Sequence, residues 1–181
     1  EITCHAKGAH FLDPSVRTVI DIGGQDSKII RLDENGTVRD FVMNDKCAAG
    51  SGRFLEMMAQ SLGITLEEMS VMGFEAEEDI VISSMCSVFA QSEVVSLIAS
   101  GKRLQDIVHG INCSVAAKVT TLAGRSGLQR EWMMTGGVAR NRGVVAAIEE
   151  RLQGKLLIPE EPEICGALGA ALVALESGTD G

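Results

Sequence analysis

Two cysteines stand in segments whose composition suits metal or redox chemistry. Cys47 lies in NDKCAAGSGRF and Cys86 in ISSMCSVFAQSEV, and each is followed by a predicted helix. The free N–H groups and partial positive charge at a helix N-terminus favour a thiolate, the form that attacks electrophiles and binds metals. A cysteine in such a place also suits simple packing or half of a disulfide. These segments alone leave packing, a nucleophile, a disulfide and a metal ligand open.

The other three cysteines occur in settings that favour packing. Cys113 falls within a predicted helix among small apolar residues, and Cys165 begins a Gly/Ala-rich helix, so we predict both in the core. Cys4 stands beside His5, but His10 is the only nearby third ligand candidate, so we predict a lightly packed thiol rather than a metal site. Five widely spaced cysteines do not form the pattern of a disulfide framework.

A glycine bend between two short apolar segments is the first candidate ligand site. DIGGQDSK joins the predicted strands TVIDI and KIIRL. Gly23 and Gly24 let backbone N–H groups approach a phosphate closely, and Asp21 or Asp26 can hold Mg²⁺ directly or through water. The same residue types form ordinary hairpin turns, so this segment alone leaves both interpretations open.

A second glycine pair separates a predicted strand from a helix in MTGGVARN, residues 134–141. Gly136 and Gly137 remove side chains that would block a flat base or ribose, and a helix N-terminus favours nearby negative charge. Tight packing alone also uses Gly-Gly at such a position. Neither segment is a Walker A loop or a dinucleotide-binding fingerprint.

The pattern of the remaining elements indicates an α/β fold. A third strand, TVRDFVMN, follows the DENG bend, and helical spacing covers residues 53–62, a stretch from about 84–87 to 101, and about 104–123. The C-terminal part alternates strands with helices, as EWMMTGG before RNRGVVAAIEERLQ and KLLIP before ICGALGAALVALES.

Composition excludes several function classes. The net charge is −9, aromatic residues make up 3% of the chain, and there is no Tyr, so no basic patch or stacking platform for nucleic acid is available. No apolar run reaches the roughly 18–20 residues that span a bilayer. The first residues lack the zones of a signal peptide, so we expect a cytoplasmic protein with no membrane partner.

The order DIGGQDSK, MTGGVARN, CGALGAAL resembles the second half of the ASKHA ATPases (acetate and sugar kinases, Hsp70, actin). The three segments are similar to that superfamily's second phosphate loop, adenosine loop and closing helix. Within it, the two cysteine motifs resemble activators of 2-hydroxyacyl-CoA dehydratases and the related ATPase subunits of benzoyl-CoA reductase. The likeness covers essentially the whole chain and implies an α/β ASKHA lobe with an N-terminal hairpin sheet.

The resemblance implies ATP or ADP with Mg²⁺ in the glycine segments. The catalytic candidates are Asp21, Gln25 and Asp26. The implied nucleotide-binding residues are Gly23, Gly24, Gln25, Asp26, Ser27, Lys28, Gly136, Gly137 and Asn141.

The resemblance also implies that Cys47 and Cys86 bind an oxygen-sensitive [4Fe-4S] cluster. Two thiolates are half of the four ligands that such a cluster needs, and a twofold homodimer supplies the other pair. The implied function is an ATPase that transfers single low-potential electrons. Its implied partners are a 2-hydroxyacyl-CoA dehydratase or related reductase and a reductant such as ferredoxin or flavodoxin.

We expect one lobe over residues 1–181, with 1–17 as a lead-in and 18–181 binding nucleotide and cluster. No D-x-G-S-T phosphate loop precedes Asp21, so the chain resembles the C-terminal two-thirds of an activator. Two other functions stay open. One is a cluster-binding redox module without ATPase turnover, and the other is a small-molecule kinase on the same fold.

Overall fold

The computed structural model describes residues 1–83 and 86–178. This part of the chain contains four strands and seven α-helices. The strands are β1 (Thr18–Ile22), β2 (Ser27–Leu32), β3 (Val38–Asn44) and β4 (Trp132–Thr135). The helices are α1 (Ile2–Leu12), α2 (Gly52–Leu62), α3 (Leu66–Met72), α4 (Ser87–Ala99), α5 (Leu104–Ala123), α6 (Arg142–Leu152) and α7 (Cys165–Gly178). Short 3₁₀ turns cover Gly73–Glu75, Gly137–Arg140 and Pro162–Ile164.

The strands form one mixed sheet in the order β3-β2-β1-β4. The first three strands are antiparallel neighbours, and β4 pairs with β1 in parallel. This register places Lys28 opposite Asp21 on one side and Thr135 opposite Asp21 on the other. Because β1 and β4 end at the same edge, the glycine bend after β1 and the glycine pair after β4 lie side by side.

Helices cover both faces of the sheet. Helices α2, α5 and α6 supply most of the apolar residues that pack on one face, including Phe54, Ile111 and Ile148. On the other face α1 and α7 bury a smaller cluster that contains Cys165. Residues 1–17, predicted as a lead-in, contain helix α1, whose buried residues belong to this smaller cluster.

The predicted elements match the structure well except at α1, at α3 and in the KLLIP segment. The helix predicted at about 104–123 is α5, and those predicted at 53–62 and near 84–101 correspond to α2 and α4; Ser84 and Met85 lie outside the described residues. Helix α3 was not predicted, although Thr65 and Glu68 form a reciprocal capping box at its start.

The strand predicted for KLLIP is wrong. Leu157 forms only an isolated parallel bridge with Met133. Its N–H donates to the Trp132 carbonyl at 2.9 Å, and its carbonyl accepts from the Met134 N–H at 2.9 Å. Pro159 follows two residues later and has no N–H to continue the ladder. Among the described residues, no helix is long and apolar enough to cross a membrane.

Close packing of α1 against α7 depends on glycine at the crossing. A Cβ at Gly169 would lie 1.7 Å from the Cys4 carbonyl oxygen, which belongs to the backbone of α1 and cannot rotate away. We therefore expect Gly169→Ala to lower the free energy of unfolding by about 1–3 kcal/mol or more, as overpacked cores do. Urea unfolding would measure the change. Gly178→Ala, in the same helix with nothing within 4 Å of its Cβ, is the control; equal midpoints for the two variants would contradict the prediction.

Candidate nucleotide and cysteine sites

The two glycine segments line one cavity of about 470 Å³ at the edge of the sheet. Gly23 and Gly24 form one side of it, and Gly137 and Asn141 form the other. The sequence predicts all four as ligand-binding residues but does not indicate that they face each other. The structure brings them together because β1 and β4 are parallel neighbours.

Gly136 does not line the cavity but fixes the course of the chain into it. Its φ is +84°, and a Cβ there would lie 2.3 Å from the Ile22 carbonyl oxygen, so only glycine fits. Its N–H donates to the Pro162 carbonyl at 2.9 Å. The second glycine segment is thus held against β1 and against the turn before α7.

A buried ionic cluster lies directly below the first glycine bend. Asp21 and Lys28 are 3% and 2% exposed. The Asp21 Oδ1 atom accepts from the Thr135 hydroxyl at 2.9 Å, while Lys28 Nζ lies 2.7 Å from Asp26 Oδ1, 3.5 Å from Asp21 Oδ2 and 3.0 Å from Glu1 Oε1. Burial disfavours the charged lysine, but the surrounding carboxylates outweigh it and raise the pKa of Lys28.

The remaining predicted nucleotide residues occupy different positions. Asp21, Asp26 and Lys28 belong to the ionic cluster rather than to the cavity lining, and Gln25 is exposed on the bend. Ser27 lines a different cavity, the one that contains the cysteines. The sequence pattern therefore predicts the bend but does not distinguish the residues that face the cavity from those that support it.

Asn141 carries an unsatisfied polar atom at this cavity. Its Oδ1 caps α6 by accepting from the Val144 N–H at 3.0 Å. Its Nδ2 is buried and has no hydrogen-bond partner among the described residues. A buried donor without an acceptor is costly, so a ligand acceptor in the cavity would satisfy it.

Helices α2 and α3 supply cavity residues that sequence analysis missed. Leu55 and Glu56 come from α2, and Leu66 and Ser70 come from α3. Ser70 also accepts from the Arg142 N–H at 2.9 Å and so connects α3 to the start of α6. The capping box in TLEE was the sequence signal that could have revealed α3, but nothing local indicates which side of that helix faces a ligand.

Cys47 and Cys86 line a second cavity, of about 660 Å³. Both thiols are exposed. Asn44 Nδ2 donates to the Cys47 carbonyl at 2.8 Å and to the Ala49 carbonyl at 3.3 Å, which fixes the segment between β3 and α2. Cys86 is the N-cap residue of α4, with no hydrogen bond from its side chain to the helix.

Lys118 of α5 faces the same cavity. Burial lowers the pKa of Lys118, while electrostatic interaction with the Cys47 and Cys86 side chains acts in the opposite direction. Both thiols are therefore close enough to the ammonium group to influence it. The structure brings together side chains from three separate places in the chain, namely the loop between β3 and α2, the N-cap of α4 and helix α5.

The other cysteines lie away from both cavities. Cys165 is buried as predicted, and burial raises the pKa of its thiol to about 11. Cys113 is half-buried against the core, with its Sγ 3.5 Å from His109 Nε2, and Cys4 is half-exposed. Within residues 1–83 and 86–178, no group of three or more side chains of the metal-binding types is placed to hold an ion.

Comparison with known proteins identifies the family of the chain. Residues 1–174 match the BadF/BadG/BcrA/BcrD ATPase family. The chain belongs to this family. It is 51% identical over 177 residues to the activator of lactoyl-CoA dehydratase from Anaerotignum propionicum, covering 98% of the chain and 68% of the relative.

A solved structure of the activator of 2-hydroxyisocaproyl-CoA dehydratase from Clostridium difficile, with bound ADPNP, superposes with a TM-score of 0.95. Identity is 45%, over 99% of this chain and 67% of that one. MreB 5 of Spiroplasma citri, at 13% identity and a TM-score of 0.60 over 99% of this chain and 60% of that one, shares the fold alone. The predicted ASKHA-type α/β fold is confirmed. The chain spans about two-thirds of the length of the activators that it matches.

Thiol reactivity would test the contrast between the cysteines. In folded protein that has been freed of metal by a chelator, Cys47 and Cys86 are exposed, and we expect a disulfide reagent to label both rapidly at pH 8. Cys165 should react only after unfolding, because a thiol with a pKa of about 11 is thiolate in roughly one molecule in a thousand at that pH, and burial also blocks access. Labelling followed by peptide mass analysis gives the order. Cys47→Ser and Cys86→Ser proteins are the controls that assign the fast reaction to these two thiols. Fast labelling of Cys165 in the folded protein would contradict the prediction.

Proposed function

We propose that this protein is an ATP-dependent electron donor that acts as a homodimer with a shared [4Fe-4S] cluster. Its target would be a 2-hydroxyacyl-CoA dehydratase or a related reductase. One observation carries the proposal. The Gly52 N–H donates to the Gly23 carbonyl at 2.8 Å, and the Arg53 N–H donates to the Gly24 carbonyl at 2.8 Å. The wall of the first cavity is therefore bonded to the start of the helix that follows Cys47.

The first cavity suits a nucleotide with Mg²⁺. Backbone groups at Gly23, Gly24 and Gly137 are accessible, and the Asn141 Nδ2 donor has no protein partner. The Asp21 and Asp26 carboxylates lie beneath the bend and outside the cavity lining, so they would hold Mg²⁺ through bridging water. The activator from Clostridium difficile was solved with ADPNP, which supports the same class of ligand here.

The second cavity suits half of a [4Fe-4S] site. Two exposed thiols face one space, and the first N–H groups of α4, which have no intrahelical acceptor, lie next to Cys86. When bound, such a cluster supplies one-electron redox chemistry at a potential set by its charge and surroundings. Four thiolates are needed, so a second copy of the chain would complete the set.

The surface beside Cys86 has the character of a contact between two copies. Val88 and Phe89, in the first turn of α4, are 62% and 67% exposed, and Val95 is exposed further along the same helix. Apolar side chains clustered in this way usually mark a protein interface. A twofold contact through α4 would bury them and bring the two thiol pairs together.

Helix α2 is the element through which the two sites would communicate. A nucleotide that moves the Gly23–Gly24 bend changes the acceptors of the first N–H groups of α2, and the helix and the Cys47 segment would follow. Such a shift is a small helix movement at an interface. The free energy by which a nucleotide shifts the equilibrium between the two arrangements cannot exceed the difference between its binding free energies for them.

Iron and sulfide analysis of protein purified without oxygen tests the cluster. We expect about four irons per dimer, and loss of iron in Cys47→Ala and Cys86→Ala because each removes two of the four ligands. Cys113→Ala removes a thiol outside the cavity and is the control. Iron retained in either cavity variant would overturn the assignment. Bound iron without ATP hydrolysis would instead favour the redox module without turnover. Formation of a phosphorylated small molecule would favour the kinase.

Asn141 provides a separate test of the nucleotide site. Asn141→Ser keeps an N-cap acceptor for α6 but removes the Nδ2 donor. We expect roughly fivefold weaker ADP binding, equivalent to about 1 kcal/mol for one hydrogen bond, with little change in stability. Calorimetric titration and urea unfolding measure the two effects. Unchanged ADP affinity would show that the donor does not face the nucleotide.

A further inference from the structure

The cysteine cavity is cationic in a chain that is acidic overall. The chain has a net charge of −9, yet the described residues that line this cavity include Lys118 and Arg125 and no Asp or Glu. The charged side chains among these lining residues are thus both basic, which suits a bound group that carries negative charge.

The aliphatic part of Lys118 packs against the backbone at Gly50. Lys118 is half-buried on α5, and its Cβ and Cδ atoms lie 3.5 Å and 3.9 Å from the position of a Cβ on Gly50. Gly50 has a φ of +93° in the bend between Cys47 and α2. The aliphatic part of the lysine thus packs beneath the bend, and its head group lies in the cavity that both thiols line. Arg125, by contrast, is exposed at the rim.

We propose that the positive charge of Lys118 raises the reduction potential of the cluster held by Cys47 and Cys86. The inference rests on the proposed function. Reduction adds one electron, and hence one negative charge, to a group whose ligands are already thiolates. A fixed cation nearby stabilises the reduced form more than the oxidised form, since the electrostatic energy grows with the added charge. In a twofold dimer, one Lys118 from each copy would act.

The reduction potential of the cluster tests this role. It is measured under anaerobic conditions by a redox titration followed by electron paramagnetic resonance. Lys118→Met keeps a long apolar stem and removes the charge. We expect about a tenfold smaller equilibrium constant for reduction, or ~59 mV for a one-electron couple. Lys118→Arg keeps the charge, and its equilibrium constant for reduction should stay within threefold of the wild-type value. Lys155→Met removes an exposed lysine outside this cavity and should change nothing.

The outcomes separate the two proposals. Wild-type protein without iron overturns the proposed cluster and with it the role of Lys118. Wild-type protein with iron, combined with an unchanged potential in Lys118→Met, overturns the role of Lys118 alone. If Lys118→Met does not retain iron, Lys118→Gln is titrated in its place with the same expected shift. An equal fall in potential in Lys118→Arg would show that packing, rather than charge, is responsible.

Discussion

The hydrogen bonds from the first two N–H groups of α2 to the Gly23 and Gly24 carbonyls are the constraint on which the functional architecture depends. The first N–H groups of a helix have no intrahelical acceptor and are usually satisfied by an N-cap side chain. Ser51, the N-cap residue of α2, makes no such bond, since its hydroxyl donates to the Ala48 carbonyl. The backbone of the β1–β2 bend takes over that role. The conformation of the bend and the position of the helix are therefore mutually dependent.

The bend is in turn fixed by the buried charges below it. Asp21 and Lys28 are both withdrawn from water, and each would be strongly unfavourable without the other. Strand register determines that they meet, and Thr135 completes the contact from β4. A ligand or ion that alters the charge around Asp21 or Asp26 acts directly on the support of the bend. The two cavities thus belong to one continuous system that runs from the ionic cluster through α2 to Cys47.

Charge is distributed unevenly over this system. The first cavity lies above carboxylates that suit a divalent cation, whereas the second carries only basic charges among its described lining residues. Such a division fits a nucleotide with its metal ion at one site and a group that gains negative charge at the other. Helix α5 lines the second cavity with Lys118 and neighbouring residues, and its buried side chains pack in the core.

The sequence by itself determined the elements and the residue types that carry chemistry. The glycine bends, helix α5 and the helices that follow Cys47 and Cys86 are encoded by local patterns of hydrophobicity and turn residues, which short segments specify on their own. Tertiary structure alone decided the other features. It placed α1 on the sheet, added α3 to the cavity, reduced KLLIP to a single bridge, left Asn141 Nδ2 without a partner and brought Lys118 to the two thiols. These features arise from strand register and helix packing between residues far apart in the chain, and no local propensity records such contacts.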